Sequence, residues 1–195
     1  MEFSLEPLLI DVPERIHTER LILRCPRPGD GAALNRAVAE TLEQLKPWMP
    51  WAQAMPSERE SEATCRRMNG MFRLRQDLTL FMFERRGDDA EGDFVGGTGL
   101  HRMNWTLRSF EVGYWCRRSH MGLGFTGEAV RAVTAMAFEA LGARRVDIRM
   151  DARNEPSRRV ADGCGFALEG VLRGEGLTPQ GAPRDTCVYA RTRDT

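Results

Sequence analysis

Apolar and polar positions along the chain repeat with two periods, and the alternation between them outlines a sequence of strands and helices. Arg20-Leu21-Ile22-Leu23-Arg24 reads as a short strand, stopped by Pro26 and Pro28. Asp30 stands where a helix cap is expected, ahead of Ala33, Leu34, Ala37, Val38 and Leu42 at helical spacing. That helix runs into Lys46-Pro47-Trp48-Met49-Pro50-Trp51, where two prolines exclude regular helix and predict an ordered loop. Ser57 followed by Glu60 is a capping box that opens a helix to about Arg75, with Ala63, Met68, Met71, Phe72 and Leu74 on its apolar face. Strand-like runs over 78–84, 94–101 and 110–116 follow. Gly87-Asp88-Asp89 and Asn104 lie between them as turn residues, so the three predict an antiparallel meander.

The second half changes period. Ala129, Val130, Val133, Met136, Ala137 and Leu141 form a helical stripe over 127–141, closed by Gly142. A strand over 145–151, a short helix over 155–162 and strands over 166–172 and 185–189 complete the chain. A strand, a long helix and a second strand imply a crossover, so 110–116 and 145–151 should be parallel neighbours in a mixed sheet. The expectation is an α/β fold with about six to seven strands and about four helices. With 195 residues there is room for one domain, placed at 18–195 behind a loosely attached lead-in at 1–17.

Composition narrows the function classes. Apolar residues at 42% and charged residues at 29% describe a globular chain rather than a disordered one. Lys plus Arg (28) cancels Asp plus Glu (28), which gives no general attraction to nucleic acid or to an anionic membrane. Cys25, Cys65, Cys116, Cys164 and Cys187 are scattered, with no C-x-x-C and no His at ligand spacing. Neither a zinc site nor a disulfide framework is suggested, and reduced thiols in the cytoplasm are the expectation. The first residues are acidic and soon interrupted by Pro7, and no apolar run approaches about 18 residues, so neither a signal peptide nor a membrane span is expected.

The sharpest local feature is Gly122-Leu123-Gly124-Phe125-Thr126-Gly127, between a strand and a helix. Such a loop offers a row of backbone N–H groups at the positive end of a helix, which is chemistry for a phosphate. Taken alone it matches the G-x-G-x-x-G dinucleotide fingerprint, with Asp147 at the right distance downstream. Against that reading, Asp147 falls inside its strand, about five elements precede the loop, and too little chain follows it for a doubly wound sheet. A tight strand–helix turn without a ligand is the third reading.

Glu111-Val112-Gly113-Tyr114-Trp115-Cys116, the glycine loop, Glu128-Ala129-Val130, Asp151-Ala152-Arg153-Asn154-Glu155-Pro156-Ser157 and Gly165-Phe166 together resemble the GNAT superfamily of N-acetyltransferases. Within it, Thr18-Glu19-Arg20-Leu21-Ile22-Leu23-Arg24 and the Trp48–Trp51 segment resemble the RimJ/RimL branch, which acetylates the N-termini of ribosomal proteins. The resemblance implies a centrally splayed sheet that admits acetyl-CoA, whose pyrophosphate binds Met121, Gly122, Leu123, Gly124, Phe125 and Thr126 while its pantetheine arm lies along Trp115 and Cys116. Two positions depart from the family loop. Met121 stands where Gln or Arg is usual, and Thr126 where Gly or Ala is usual, which places a β-carbon at a point of close phosphate approach.

Acetyl transfer from a thioester to an amine requires a base for the amine, a polarised carbonyl and a proton for the departing thiolate. The resemblance puts Glu111 first as base, acting through water, against a plain reading as an edge carboxylate paired with arginine. His101 is the second base candidate, imidazole titrating nearest neutrality. It implies Ser157 as acid beside the coenzyme sulfur and Asn154 as a coenzyme contact, the plain readings being helix caps. One of Arg153, Arg158 and Arg159 could meet the ribose 3′-phosphate. Trp48, Trp51 and Tyr114 would wall the acceptor pocket. Cys116 and Cys164 read as packing residues, since direct transfer needs no nucleophile and no metal. The implied acceptor is a peptide or protein N-terminus, ribosomal by analogy; a small amine or antibiotic, or a CoA-binding module without catalysis, are the alternatives. Many relatives look dimeric, which leaves a homodimer open.

Overall fold

A computed structural model describes residues 6–87 and 89–193 of the chain, so the start of the lead-in and position 88 of the expected 87–89 turn lie outside the described residues. The strands are β1 (Arg15–His17), β2 (Leu21–Arg24), β3 (Leu78–Arg86), β4 (Ala90–Asn104), β5 (Ser109–Cys116), β6 (Arg145–Asp151), β7 (Ala167–Leu177) and β8 (Pro183–Thr192). The α-helices are α1 (Gly31–Leu45), α2 (Glu58–Arg73), α3 (Phe125–Glu139) and α4 (Glu155–Gly163). All eight strands belong to one sheet in the order β1-β2-β3-β4-β5-β6-β8-β7. The count exceeds the expected six to seven because residues 15–17, read as part of a loose lead-in, pair with β2 and extend the sheet by one edge strand.

Helix ends follow local chemistry, with one correction. The Ser57–Glu60 capping box forms: Glu60 N–H donates to Ser57 Oγ (3.2 Å) and Ser57 N–H donates to the Glu60 carboxylate (2.8 Å). Asp30 occupies the N-cap position of α1 but makes no side-chain cap. The buried Arg24 claims its carboxylate through two 2.7 Å bonds. Glu62 of α2 takes over instead, accepting from the N–H groups of Gly29 (3.0 Å) and Gly31 (3.1 Å) at the head of α1. α3 begins at Phe125, two residues earlier than the apolar stripe indicated. At the end of the sheet, β8 inserts between β6 and β7, so the two last strands form a long antiparallel hairpin.

The core divides over the two faces of the sheet. On one, Phe110, Val112, Val146, Ile148 and Met150 pack against Ala129, Val130, Val133, Met136 and Ala137 of α3, with Tyr114 and Cys116 at the margin. On the other, Phe81, Phe83 and Phe94 pack against Leu34, Ala37 and Val38 of α1 and Cys65 of α2, joined by Trp115. Strand alternation sends Tyr114 and Cys116 to the α3 face, and Glu111, Gly113 and Trp115 to the α1 face. Among the described residues, no helix is long and apolar enough to cross a membrane.

One feature of the register positions everything else. β5 and β6 are parallel and pair only at Ser109↔Arg145, Phe110↔Val146 and Glu111↔Asp147. Beyond Glu111, β5 stays with β4 as far as Cys116↔Gly96, and β6 stays with β8 as far as Asp151↔Thr186. The middle of the sheet therefore opens between the last residues of β5 and those of β6.

Candidate active site

On the α3 face, the gap is flanked by two helix N-termini. Gly122 (φ +76°) and Gly124 (φ +81°) hold the left-handed conformations that lead into α3, whose N-terminus has no side-chain cap. The first amides of a helix have no intrahelical acceptor, so this loop presents donors and a positive dipole end together. A cradle for a pyrophosphate is the fit. Met121 and Leu123 are exposed beside it. Thr126, the residue expected to crowd a phosphate, hydrogen-bonds through its hydroxyl to the Cys116 thiol, so that its side chain lies toward β5. Burial raises the Cys116 pKa against that bond, which suits a packing residue rather than a nucleophile.

A strap that sequence reasoning missed fixes this loop. Thr18 Oγ1 (2.6 Å) and the Arg20 N–H (2.8 Å) donate to Oε1 of Glu128 in the first turn of α3, and Arg20 Nε meets its Oε2 at 2.7 Å. Arg20 Nη1 donates to the Leu123 carbonyl at 2.9 Å, and its guanidinium lies 4.7 Å from the Phe125 ring centre. Burial opposes the Glu128 charge, but these donors outweigh it and hold the carboxyl below the ordinary range. The sequence signal was present in Thr18-Glu19-Arg20 and Glu128, without any indication that the two segments touch.

The second helix N-terminus is α4. Asn154 Oδ1 accepts from Ser157 N–H at 3.1 Å, so Asn154 caps the helix. The Ser157 hydroxyl lies 2.9 Å from Tyr114 Oη, which also donates to the Ser157 carbonyl at 3.0 Å. Tyr114, expected as an acceptor wall, is thus on the same side as Ser157 and paired with it. Burial pushes the Tyr114 hydroxyl well above its usual pKa and keeps its proton in place. The three arginines are engaged within the protein: Arg153 grips Asp151 (2.7 and 3.0 Å), Arg158 reaches Tyr189 (3.4 Å), and Arg159 faces Glu155 (3.6 Å) at the surface.

On the α1 face, His101 and Glu111 are register partners of β4 and β5, and Asp147 is the partner of Glu111 on β6, so all three line one side at the point where the sheet opens. Burial pushes the Glu111 carboxyl above its ordinary pKa and Asp147 adds to this, while Arg102 (3.5 Å), Arg149 and His101 work the other way. Trp115 does not line the gap with its ring. It packs on Phe94 and is met edge-on by Trp51, with ring centres 5.9 Å apart. The Trp48–Trp51 loop is fastened from two sides: Gln53 donates to the carbonyls of Lys46 (3.0 Å) and Met49 (2.9 Å), and Gln180 of the β7–β8 turn donates to Lys46 (3.2 Å). Trp48, Pro47, Arg153, Thr178, Gln180 and Ala182 line an open cleft of about 340 Å³ past the end of β6.

Elsewhere, Glu84, Asp93 and His120 bring ligand atoms within 4.8 Å of one another, but Arg86 already bridges the two carboxylates at 3.9 and 3.2 Å and supplies the cation.

A parallel pair that parts in mid-sheet, with a glycine loop on one side and titratable groups on the other, defines an acyl-transfer architecture. The family model described as an acetyltransferase (GNAT) domain matches residues 20–167, and the chain belongs to that family. It is accordingly an acetyl-CoA-dependent acyltransferase. The ribosomal-protein-serine acetyltransferase of Escherichia coli (strain K12) is 27% identical over 178 residues, covering 91% of this chain and 96% of that protein. Among solved structures, the microcin C7 self-immunity acetyltransferase MccE, in complex with acetyl-CoA and AMP, superposes with a TM-score of 0.82 at 19% identity, covering 93% of this chain and 97% of the other. RimL, a ribosomal L7/L12 α-N-protein acetyltransferase in complex with coenzyme A, gives 0.79 at 21% identity, covering 94% and 98%.

Proposed function

We propose that this enzyme moves the acetyl group of acetyl-CoA directly to the α-amine at the N-terminus of a peptide or protein. The observation that carries the reading is the separation of proton-donating and proton-accepting groups onto opposite faces of one gap. Acetyl-CoA supplies an activated acetyl thioester. The amides of the glycine loop bind its pyrophosphate, and the free edge of β5 from Val112 to Cys116 offers the backbone groups along which its arm lies. Tyr114 and Ser157 wait on the α3 face. With the Tyr114 proton given to the Ser157 carbonyl, the Ser157 hydroxyl donates to Tyr114 Oη, and on this reading it turns that hydrogen to the departing sulfur as negative charge develops there.

The acceptor enters from the α1 face, past Trp48 and Trp51. Glu111 and His101 there form the proton-accepting pair. The amine lone pair attacks the carbonyl carbon, the C–N bond forms as the C–S bond breaks, the amine proton passes to the α1 face, and the Ser157 hydroxyl hydrogen-bonds to the departing thiolate, which takes its proton from solvent. A peptide α-amine, titrating near about 7.7–8.0, is neutral far more often at pH 7 than a lysine amine near about 10.4, so this modest base pair favours a chain terminus. The relatives named for ribosomal-protein N-acetylation support the same acceptor class.

Short peptides with N-terminal Ser or Ala and an internal lysine should be acetylated at the α-amine only, read by fragment-ion mapping. Label confined to lysine, or to a non-peptide amine, would remove this acceptor and leave acetyl transfer standing.

A further inference from the structure

His101 does not hang freely at the gap. Its Nδ1 lies 2.6 Å from Asp77 Oδ2, and the other carboxylate oxygen of Asp77 accepts from Thr79 Oγ1, also at 2.6 Å. Asp77 comes from the turn between α2 and β3, whose Gln76 N–H bonds back to the Met71 carbonyl at 3.0 Å. The far side of the imidazole leans over Gly113 of β5: a Cβ on Gly113 would stand 2.7 Å from His101 Cδ2 and 2.8 Å from Nε2. Gly113 is two residues past Glu111, the last β5 residue paired with β6, so Nε2 sits over the open part of the gap. One ring nitrogen is therefore tied to a carboxylate, and the other is laid across a strand that leaves room for it only because it carries glycine.

We propose that Asp77 is a positioning residue for His101, holding it as the Nδ1–H tautomer so that the lone pair of Nε2 faces the incoming amine. The proposal rests on the acetyl-transfer reading for the identity of that amine, but not for the geometry. A carboxylate that accepts from Nδ1–H fixes which nitrogen is basic and which way the ring points. Burial opposes an Asp77 charge, yet the bonds from His101 and Thr79 keep the carboxyl below its ordinary pKa, in the ionised form the role needs. Glu111, on the same face, with Arg102 and Arg149 favouring its charge against burial, adds a negative charge near the ring when the imidazole takes up the proton.

Two measurements test this. In steady-state assays with acetyl-CoA and the best peptide acceptor, H101A should lower kcat by about 10²- to 10⁴-fold and D77N by at least about tenfold, with KM for acetyl-CoA changing by less than about twofold. In the H101A background, adding D77N should change kcat by less than about twofold, because the two act as one unit. An unchanged kcat in D77N, or a D77N loss that persists in full beside H101A, overturns the proposal. Independently of any acceptor, long-range ¹H–¹⁵N spectra of histidine-labelled protein, assigned with H101Q, should show His101 as the Nδ1–H tautomer in the wild type and lose that preference in D77A. An Nε2–H signal in the wild type overturns it. Failure of every amine to consume acetyl-CoA would strike the acetyl-transfer reading instead, and the tautomer would still decide the role of Asp77.

Discussion

The two faces of the opened sheet are built by different means. On the α3 face the groups of the proposed site are mostly backbone: amides released by two left-handed glycines and by the uncapped start of α3, with Tyr114 and Ser157, at the capped head of α4, close behind. On the α1 face they are side chains brought together from separate elements: Asp77 before β3, His101 on β4, Glu111 on β5, and tryptophans from the α1–α2 loop. A backbone site depends on conformation at a few positions and little on the side chains between them. A side-chain site depends on register, and a one-residue slip would turn every group to the wrong face. The donor half should therefore fail through glycine and the acceptor half through charge.

The largest effect expected is at Gly124. In Gly124→Val, a β-branched residue must adopt φ +81°, and its Cβ stands 3.4 Å from Arg20 Nη2, so both the turn and its strap are disturbed. Wild-type protein at about 100 times the dissociation constant of acetyl-CoA should gain about 2.7 kcal/mol of stability, read as a rise in melting temperature. The variant should lose that rise. NAD should give none in either protein. A normal acetyl-CoA shift in Gly124→Val would mean that the donor face does not work through this loop.

Next come the hydroxyls. Ser157→Ala should lower kcat by about 10²- to 10⁴-fold with coenzyme affinity little changed, since it removes the hydrogen bond to the thiolate while Asn154 and the loop remain. Stopped-flow turnover beside calorimetric binding separates the two quantities. Equal losses in both would make Ser157 a coenzyme contact and blur the division between backbone and side-chain roles.

The acceptor face can be split by stability alone. The Glu111 pKa is raised in the folded protein, so its ionised form opposes folding at neutral pH, an effect that shrinks as pH falls through the folded value and is gone below the unfolded one. Glu111→Gln should thus be more stable than wild type at pH 7, with the advantage shrinking in acid, even as turnover drops. Asp77 is the reverse. Its folded pKa is lowered, so its contribution is present above the unfolded value and is lost as pH falls through the folded one. Asp77→Asn should be less stable at pH 7 by about 1.5–3 kcal/mol, the scale of hydrogen bonds to a charged group. Urea melts at pH 7 give both signs, and melts at pH 4 separate the two, since the Glu111 effect has shrunk there while the Asp77 contribution, present above an unfolded value of about 3.9, remains. The same sign for both variants would break the assignment of opposite environments to neighbours on one face.

The smallest effect is at Arg102, whose exposed guanidinium lies 3.5 Å from Glu111. Arg102→Ala should change stability by less than about 1 kcal/mol and raise the Glu111 pKa further, moving the acid limb of the rate profile to higher pH.

What the sequence disclosed follows the same division. The glycine loop, the long α3 stripe, the Ser57–Glu60 box and the parallel relation of β5 to β6 are local or nearly local patterns, and each appeared where its period and cap placed it. Asp77 with His101, Tyr114 with Ser157, and Trp51 with Trp115 lie 24, 43 and 64 positions apart, and only the strand register makes them neighbours. Asp30 was misread because its propensity for a cap lost to a buried arginine six residues away. β1 was missed because three residues carry too little alternation to stand out from a lead-in.

The strap from Thr18 and Arg20 to Glu128 spans 108 to 110 positions of sequence. During synthesis the second strand is made early, and it waits for the acid that will secure it until more than half the chain has followed. If the glycine loop binds the coenzyme as proposed, a chain lacking Glu128 should hold no fastened loop. Competence should appear abruptly, once Glu128 has emerged and the sheet has closed around β5, which makes retention on immobilised coenzyme A a timing mark for complete folding. Chains stalled before that point should pass through such a column unretarded.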